Sequence, residues 1–177
     1  MARGFMSVVL FIIMLFSGCK TQNTDDIDGG VVHNDTDPDA PKTIESNEMV
    51  SFECEISFYG ITEDDSDYYG RNYNLSAIEN EGVVSCKIDW RGRDGEGNGR
   101  SYTTDKSFLE ALRTIVIMYD IAGFNGHSHS VSGLPDMYGI RLDIRYSSGE
   151  RIYIYNNQDH VIPLEAAESI VTLFCAS

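Results

Sequence analysis

The sequence predicts an α+β fold, a two-layer sandwich in which two helices cover one face of an antiparallel sheet of five to six strands. Three observations predict this fold. Several segments alternate apolar and polar residues, as half-buried strands do, and two segments repeat apolar residues at helical spacing. Tight turns join neighbouring strand segments, which favours antiparallel pairing. The predicted order is β-β-β-β-α-β-β-α in one domain, residues 48–177.

The strand segments differ in how clearly they alternate. The first and third are the strongest, with apolar residues at even positions such as Phe52, Ile56, Val84 and Ile88. The last two segments flank the turn Ser147-Ser148-Gly149-Glu150 and are expected to form a hairpin. The predicted strands are residues 48–59, 73–79, 83–91, 100–103, 138–146 and 151–156.

Two amphipathic helices are expected. Residues 104–119 carry an apolar stripe that includes Phe108, Leu112 and Val116. Pro163 suits the first turn of a final helix, whose stripe includes Ile170 and Phe174. Each helix therefore has one apolar face, which is expected to pack against the sheet.

The N-terminus carries the three parts of a secretory signal. Arg3 supplies a positive charge, residues 5–16 are an apolar core too short to span a bilayer, and Ser17 and Gly18 are small. Cys19 follows directly. This small-small-Cys arrangement resembles the lipobox of bacterial lipoproteins, although Phe16 stands where that pattern usually has leucine.

The resemblance implies that residues 1–18 are a signal peptide and that Cys19 becomes the lipidated first residue of the mature chain. A lipid anchor of this kind would hold the protein, through diacylglyceryl and fatty acyl (palmitate) chains, at a membrane of the bacterial cell envelope, outside the cytoplasm. The alternatives are an ordinary secretory signal and an uncleaved anchor. Residues 19–47 are rich in Asp, Asn, Thr and Gly and are expected to be a disordered acidic tether.

Composition limits the partners. The 177 residues have a formal net charge of −15, which excludes nucleic acid as the default partner because phosphate binding needs clustered Lys and Arg. No cofactor is expected. The expected partners are the membrane, through the N-terminal lipid, and an envelope protein, peptide or glycan.

Three cysteines lie beyond Cys19: Cys54, Cys86 and Cys175. All three fall at positions that the apolar pattern turns inward. Buried thiols are the favoured interpretation, and a Cys54–Cys86 disulfide is the alternative.

The uncovered face of the sheet is the first candidate binding surface. Arginine and tyrosine are enriched at recognition surfaces, and the last hairpin would place several of them on this face. They are Arg141, Arg145, Arg151, Tyr153 and Tyr155. The alternative is a solvated face with cross-strand ion pairs.

The segment 121–137 is the second candidate, because it is longer than most connections. Asn125, His127 and His129 are the residues with which it would contact a ligand, and the two histidines are the pair that a metal or a general base would use. The alternative is a structural loop folded over the sheet edge.

The spacing of oxygen-bearing side chains in residues 94–105 resembles that of a calcium-binding loop. Oxygen-bearing side chains fall at alternate positions, Asp94, Glu96 and Asn98, and Asp105 occupies the twelfth position. A flexible hairpin loop is the competing interpretation.

Together these patterns predict a non-enzymatic envelope lipoprotein whose domain binds a ligand or another protein. The alternative is an envelope hydrolase or metal-dependent enzyme centred on His127 and His129.

Overall fold

The computed structural model describes residues 26–27, 30–62, 66–134, 137–159 and 161–176. The predicted signal peptide and Cys19 lie outside these residues. Within them, no helix is long and apolar enough to cross a membrane.

The described residues form nine strands and two α-helices, with a short 3-10 helix at Ile121–Phe124. The strands are β1 (Asp26–Ile27), β2 (Gly30–Asn34), β3 (Met49–Phe58), β4 (Arg71–Asn80), β5 (Val83–Gly92), β6 (Gly97–Thr104), β7 (Ser128–Ser132), β8 (Tyr138–Tyr146) and β9 (Arg151–Asn156). The helices are α1 (Ser107–Met118) and α2 (Leu164–Ala176).

All of these strands belong to one sheet, in the order β1-β2-β7-β9-β8-β3-β4-β5-β6. Neighbours pair antiparallel, apart from β7 and β9, which run parallel. The α+β class is confirmed, but the predicted five to six strands are too few: the sheet has eight strands and the two-residue β1. The additional strands β2 and β7 pair with each other across about a hundred residues of sequence. Neither shows a strong local pattern, because each has five residues and one well-buried apolar side chain, Val32 or Val131.

The sheet has one buried face because its strands alternate as the sequence predicts. The inward side chains of β3, β4, β5, β8 and β9 form the core with the apolar stripes of both helices. Phe174 of α2 lies at the junction of the layers, with its ring 6.0 Å from that of Phe52 on β3 and 5.0 Å from that of Phe108 on α1. The opposite face of the sheet, which we call the outer face, carries polar side chains.

Cys54 and Cys86 are free thiols and buried, as the favoured interpretation holds. Their strands β3 and β5 are separated by β4. Cα atoms two strands apart lie at least about 9.5 Å from each other, beyond the roughly 7 Å that a disulfide bridges. Burial raises the pKa of both thiols. Cys175 is exposed, so the prediction of an inward position is wrong there.

Residues 30–47, which we call the N-terminal strap, differ from the disordered tether that the composition predicts. β2 pairs with β7, and then the backbone N–H groups of Asp35 and Asp37 donate to the carbonyls of Ser128 and Gly126 at 2.9 and 2.8 Å. Gly126 has φ +81°, and a Cβ there would lie 2.5 Å from the Asp37 carbonyl oxygen. Backbone pairing with a distant segment therefore orders a stretch whose own side chains bury little.

Candidate functional site

The outer face places the predicted arginines and tyrosines side by side. Alternation turns the odd-numbered residues of β3, β8 and β9 outward, and the strand registers align them in rows across the three strands. The rows are Ser51–Arg145–Arg151, Glu53–Asp143–Tyr153 and Glu55–Arg141–Tyr155.

Four of these residues bond to one another. Arg151 donates from Nε and a terminal nitrogen to the two carboxylate oxygens of Asp143, at 2.8 and 2.6 Å. Arg145 donates to the same carboxylate at 3.2 Å. The Arg151 guanidinium also lies 4.9 Å from the centroid of the Tyr153 ring. Asp143, Arg145 and Arg151 therefore form an ion-pair cluster, with the Tyr153 ring beside Arg151, as in the alternative to ligand binding that the sequence left open.

Burial alone would raise the pKa of Asp143, but the hydrogen bonds from Arg151 and Arg145 outweigh it and lower the pKa. The folded protein therefore holds this carboxylate ionised at a pH where the unfolded chain already binds a proton. The stabilisation is present above the unfolded value, near 4, and is lost as pH falls through the folded value.

Asp143→Asn is accordingly expected to lower the free energy of unfolding by about 1 kcal/mol at pH 7, because both arginine partners are half exposed. The difference from the unsubstituted protein should shrink as pH falls below about 4, because the carboxyl group then becomes protonated in the folded protein as well. Urea unfolding at pH 7, 5 and 3 measures it, and Ser51→Ala is a neutral control on the same face. An equal difference at pH 7 and pH 3 would show that the cluster is not stabilised by charge.

Arg141 has a different environment. It lies directly opposite Glu55 of β3, yet no salt bridge within the described residues involves either side chain. Both are exposed. Two opposite charges therefore remain available to a third group that contacts both.

These two charges border a shallow pocket of about 90 Å³. Its polar lining comprises Glu55, Ser57, Asn72, Arg141, Tyr155, Asn156 and Asn157. Gly139 forms part of the floor, where a Cβ would lie 2.8 Å from the carbonyl oxygen of Asn156 and 2.9 Å from the Cα of Asn157. Because residue 139 is glycine, the chain that follows β9 can lie against β8, where it forms one side of the pocket. We call this concavity the β8 pocket.

A second concavity of about 200 Å³ adjoins the β8 pocket and shares Glu55 with it. Its lining is acidic, because it carries the carboxylates of Glu53 and Asp89 in addition to that of Glu55. Its single cation among the described residues, Lys87, pairs with Asp89 at 2.5 Å. The outer face thus changes from acidic over β3 to β5 to basic over β8 and β9.

Of the two predicted histidines, His129 lies in strand β7 and His127 directly precedes that strand. The prediction missed β7 because its sequence, Ser-His-Ser-Val-Ser, contains one apolar residue. His127 Nε2 lies 3.2 Å from the amide Nδ2 of Asn156. Burial lowers the pKa of His127, and the nearby His129 lowers it further. Within the described residues, no group of three or more His, Cys, Asp or Glu side chains is arranged to hold a metal ion.

Asn125 is 4% exposed, and its side-chain bonds are made within the protein. Its Nδ2 donates to the carbonyls of Pro41 and Arg151, at 2.8 and 3.0 Å, and its Oδ1 accepts from the backbone N–H of Tyr153 at 2.8 Å. The predicted ligand-contact residue Asn125 is therefore buried, and its amide is bonded within the protein. It joins the N-terminal strap to β9.

The candidate calcium ligands are separated. Asp94 and Glu96 lie in the turn between β5 and β6, Asn98 lies near the start of β6, and Asp105 follows the end of β6. Eight residues of strand span about 25 Å, so Asp105 cannot share an ion with the others. The spacing of these residues resembles that of a calcium-binding loop, whereas the chain there forms the β5–β6 hairpin.

Asn72 and Asn157 belong to the β8 pocket but were missed by the sequence prediction. Asn72 lies on β4 in the row of Ser57, which only the register shows. Asn157 follows β9, where its side chain bonds to both backbone groups of Val131 on β7.

Comparisons of the chain with protein-family models, with curated proteins and with solved structures found no match.

Proposed function

We propose that the protein is a lipid-anchored component of the bacterial cell envelope that binds a peptide or glycan through the outer face of its sheet, without catalysing a reaction. The observation that carries the binding proposal is the β8 pocket, where Arg141 and Glu55 face each other without forming an ion pair. The lipobox resemblance at Cys19 supports the anchor.

The chemistry of the pocket indicates how much of a ligand it holds. Sites that enclose a whole small molecule have volumes of about 300–1,000 Å³. At about 90 Å³, the β8 pocket accommodates one substituent of a larger molecule. A peptide side chain, a peptide terminus or a sugar substituent has this size.

The lining also indicates which substituents fit. The guanidinium of Arg141 matches a carboxylate, and Glu55 accepts a hydrogen bond from an ammonium or a hydroxyl group. Polymers with carboxylates, amines and hydroxyls along an extended chain therefore suit this surface. Envelope peptides and glycans carry these groups.

The proposed anchor lies close to the domain. Asp26, which pairs with Val31 of β2, lies seven positions after Cys19 along the chain. An extended chain of that length reaches at most about 25 Å. The β1–β2 edge of the sheet would accordingly stay near the membrane, and the long free tether that the composition predicts is not needed.

The binding experiment measures retention of the full-length protein, in detergent, on purified insoluble peptidoglycan, which presents both peptide and glycan. Arg141→Gln is expected to weaken binding at least ten-fold. Arg113→Gln on α1 makes the same charge change on the helical layer and should stay within two-fold. Equal binding by the two variants would overturn the role of the β8 pocket, and a mature N-terminus without acyl mass on Cys19 would overturn the anchor.

A further inference from the structure

The sheet has an open edge at β6. β6 is the last strand in the order and pairs with β5, and six of its eight residues are exposed. No other strand within the described residues pairs with it. An edge of this length presents a row of backbone donors and acceptors that another extended chain can pair with.

The hydrogen-bond pattern shows which residues of β6 face that open side. At the base of the hairpin, Gly92 N–H donates to the Glu96 carbonyl at 2.7 Å. Alternation along an antiparallel pair then turns the backbone groups of the even-numbered residues of β6 toward β5 and those of Gly99, Ser101 and Thr103 away from it. The N–H of Gly99 indeed donates to the side chain of Asn98, at 2.8 Å.

A pocket of about 180 Å³ adjoins this edge on the helical side of the sheet. Ile88 and Trp90 give it apolar walls, and Arg100 and Cys175 lie at its rim. A cavity of about 150 Å³ holds a benzene ring, so this one holds a large apolar side chain. We call it the edge pocket.

The charges beside the edge pocket are positive. Arg100 donates to the carbonyls of Phe174 and Cys175 at the end of α2, at 2.9 and 2.8 Å, through one terminal nitrogen. The Arg71 guanidinium lies 5.1 Å from the Trp90 ring. Neither arginine makes a salt bridge within the described residues, in a chain of net charge −15. The remaining donors of Arg100 suit a carboxylate.

The geometry points to β6 as a docking site for an extended segment of another protein, which adds to the sheet as a further strand. That segment places an apolar side chain in the edge pocket and, two residues along on the same face, a carboxylate at Arg100. Backbone pairing supplies most of the affinity in such strand addition, and the pocket supplies the specificity. A second copy of this chain suits the edge less well, because both partners would carry the same large negative charge.

The test uses Trp90, which is the single tryptophan of the chain and lines the edge pocket. The peptide acetyl-Thr-Phe-Thr-Asp-Thr-Ser-amide is titrated into the full-length protein in detergent while tryptophan emission is recorded. A saturable change is expected. Methylation of alternate backbone nitrogens of the peptide, or replacement of its phenylalanine by serine, should weaken binding at least ten-fold, and replacement of its aspartate by asparagine about three-fold.

Ser101→Pro is the matching change in the protein. It removes an outward N–H without breaking a bond to β5, and proline is tolerated at such edge positions. Binding should weaken at least ten-fold, whereas Ser101→Ala, which keeps the N–H, should stay within two-fold. Circular dichroism confirms that each variant is folded.

Three results would overturn the proposal. The first is a titration that does not saturate by millimolar peptide. The second is equal affinity for the N-methylated and unmodified peptides. The third is a change in Trp90 emission that depends on protein concentration and not on peptide, which would identify a second copy as the occupant. Arg141→Gln should leave peptide binding at this edge unchanged, so this site and the β8 pocket can fail independently.

Discussion

Phe174→Ala is expected to lower the free energy of unfolding by about 3–5 kcal/mol. The Phe174 side chain is fully buried and contacts an aromatic ring in each of the other two parts of the core, Phe52 on the sheet and Phe108 on α1. Truncation removes the apolar surface that joins both helices to the sheet and leaves a cavity between them. Thermal unfolding should show a melting temperature about 10–15 °C lower.

The matched control is Ile117→Ala, which removes a large apolar side chain from α1 at a position that is 60% exposed. That change should alter stability by no more than about 0.5 kcal/mol. Phe174→Leu should give an intermediate loss, because leucine retains part of the contact. If Phe174→Ala and Ile117→Ala destabilised the protein equally, α2 would not pack on the sheet as described.

Asn125→Ala is expected to release the N-terminal strap and to cost about 2–4 kcal/mol. The substitution leaves two carbonyls and one backbone N–H, on Pro41, Arg151 and Tyr153, without the partner that the buried amide provides. Each buried polar group left unpaired costs about 1–3 kcal/mol, and water entering beside the freed strap reduces the sum. Hydrogen exchange should accelerate at residues 35–42 more than in β3 or β8.

Asn74→Ala removes an exposed amide of the same size from β4 and serves as the control. It should leave both stability and the exchange of the strap unchanged. Uniform acceleration of exchange throughout the sheet of the Asn125 variant would mean that the strap unfolds only together with the domain. Unchanged exchange at residues 35–42 would contradict the role assigned to Asn125.

The strands that could be predicted are those that carry their own pattern. β3, β5, β8 and β9 alternate apolar and polar residues, and all four lie in the sheet within about one residue of the predicted bounds. β2 and β7 have no such signal, because each is short and buries one side chain well, Val32 and Val131. Their pairing depends on contact between distant parts of the chain.

In the candidate sites too, the local pattern predicted some features, whereas others depend on long-range contacts. Alternation predicted that Arg141, Arg145 and Arg151 share the outer face, and they do. It did not predict that Arg145 and Arg151 bond to Asp143 while Arg141 faces Glu55 without pairing, because ion pairing depends on strand register and side-chain direction. The burial of Asn125 was not predicted for a similar reason, since a polar residue in a glycine-rich segment gives no sign that it is buried.

The amino-acid sequence by itself determined the α+β class, the two amphipathic helices and the side of the sheet that each strong strand buries, because side-chain alternation and helical periodicity are local properties of a chain. Only the tertiary structure decided the strand order, the docking of the N-terminal strap, the β8 pocket and the open edge at β6. Each of these depends on which distant residues become neighbours, and that choice reflects the packing of the whole core and not the pattern within any one segment.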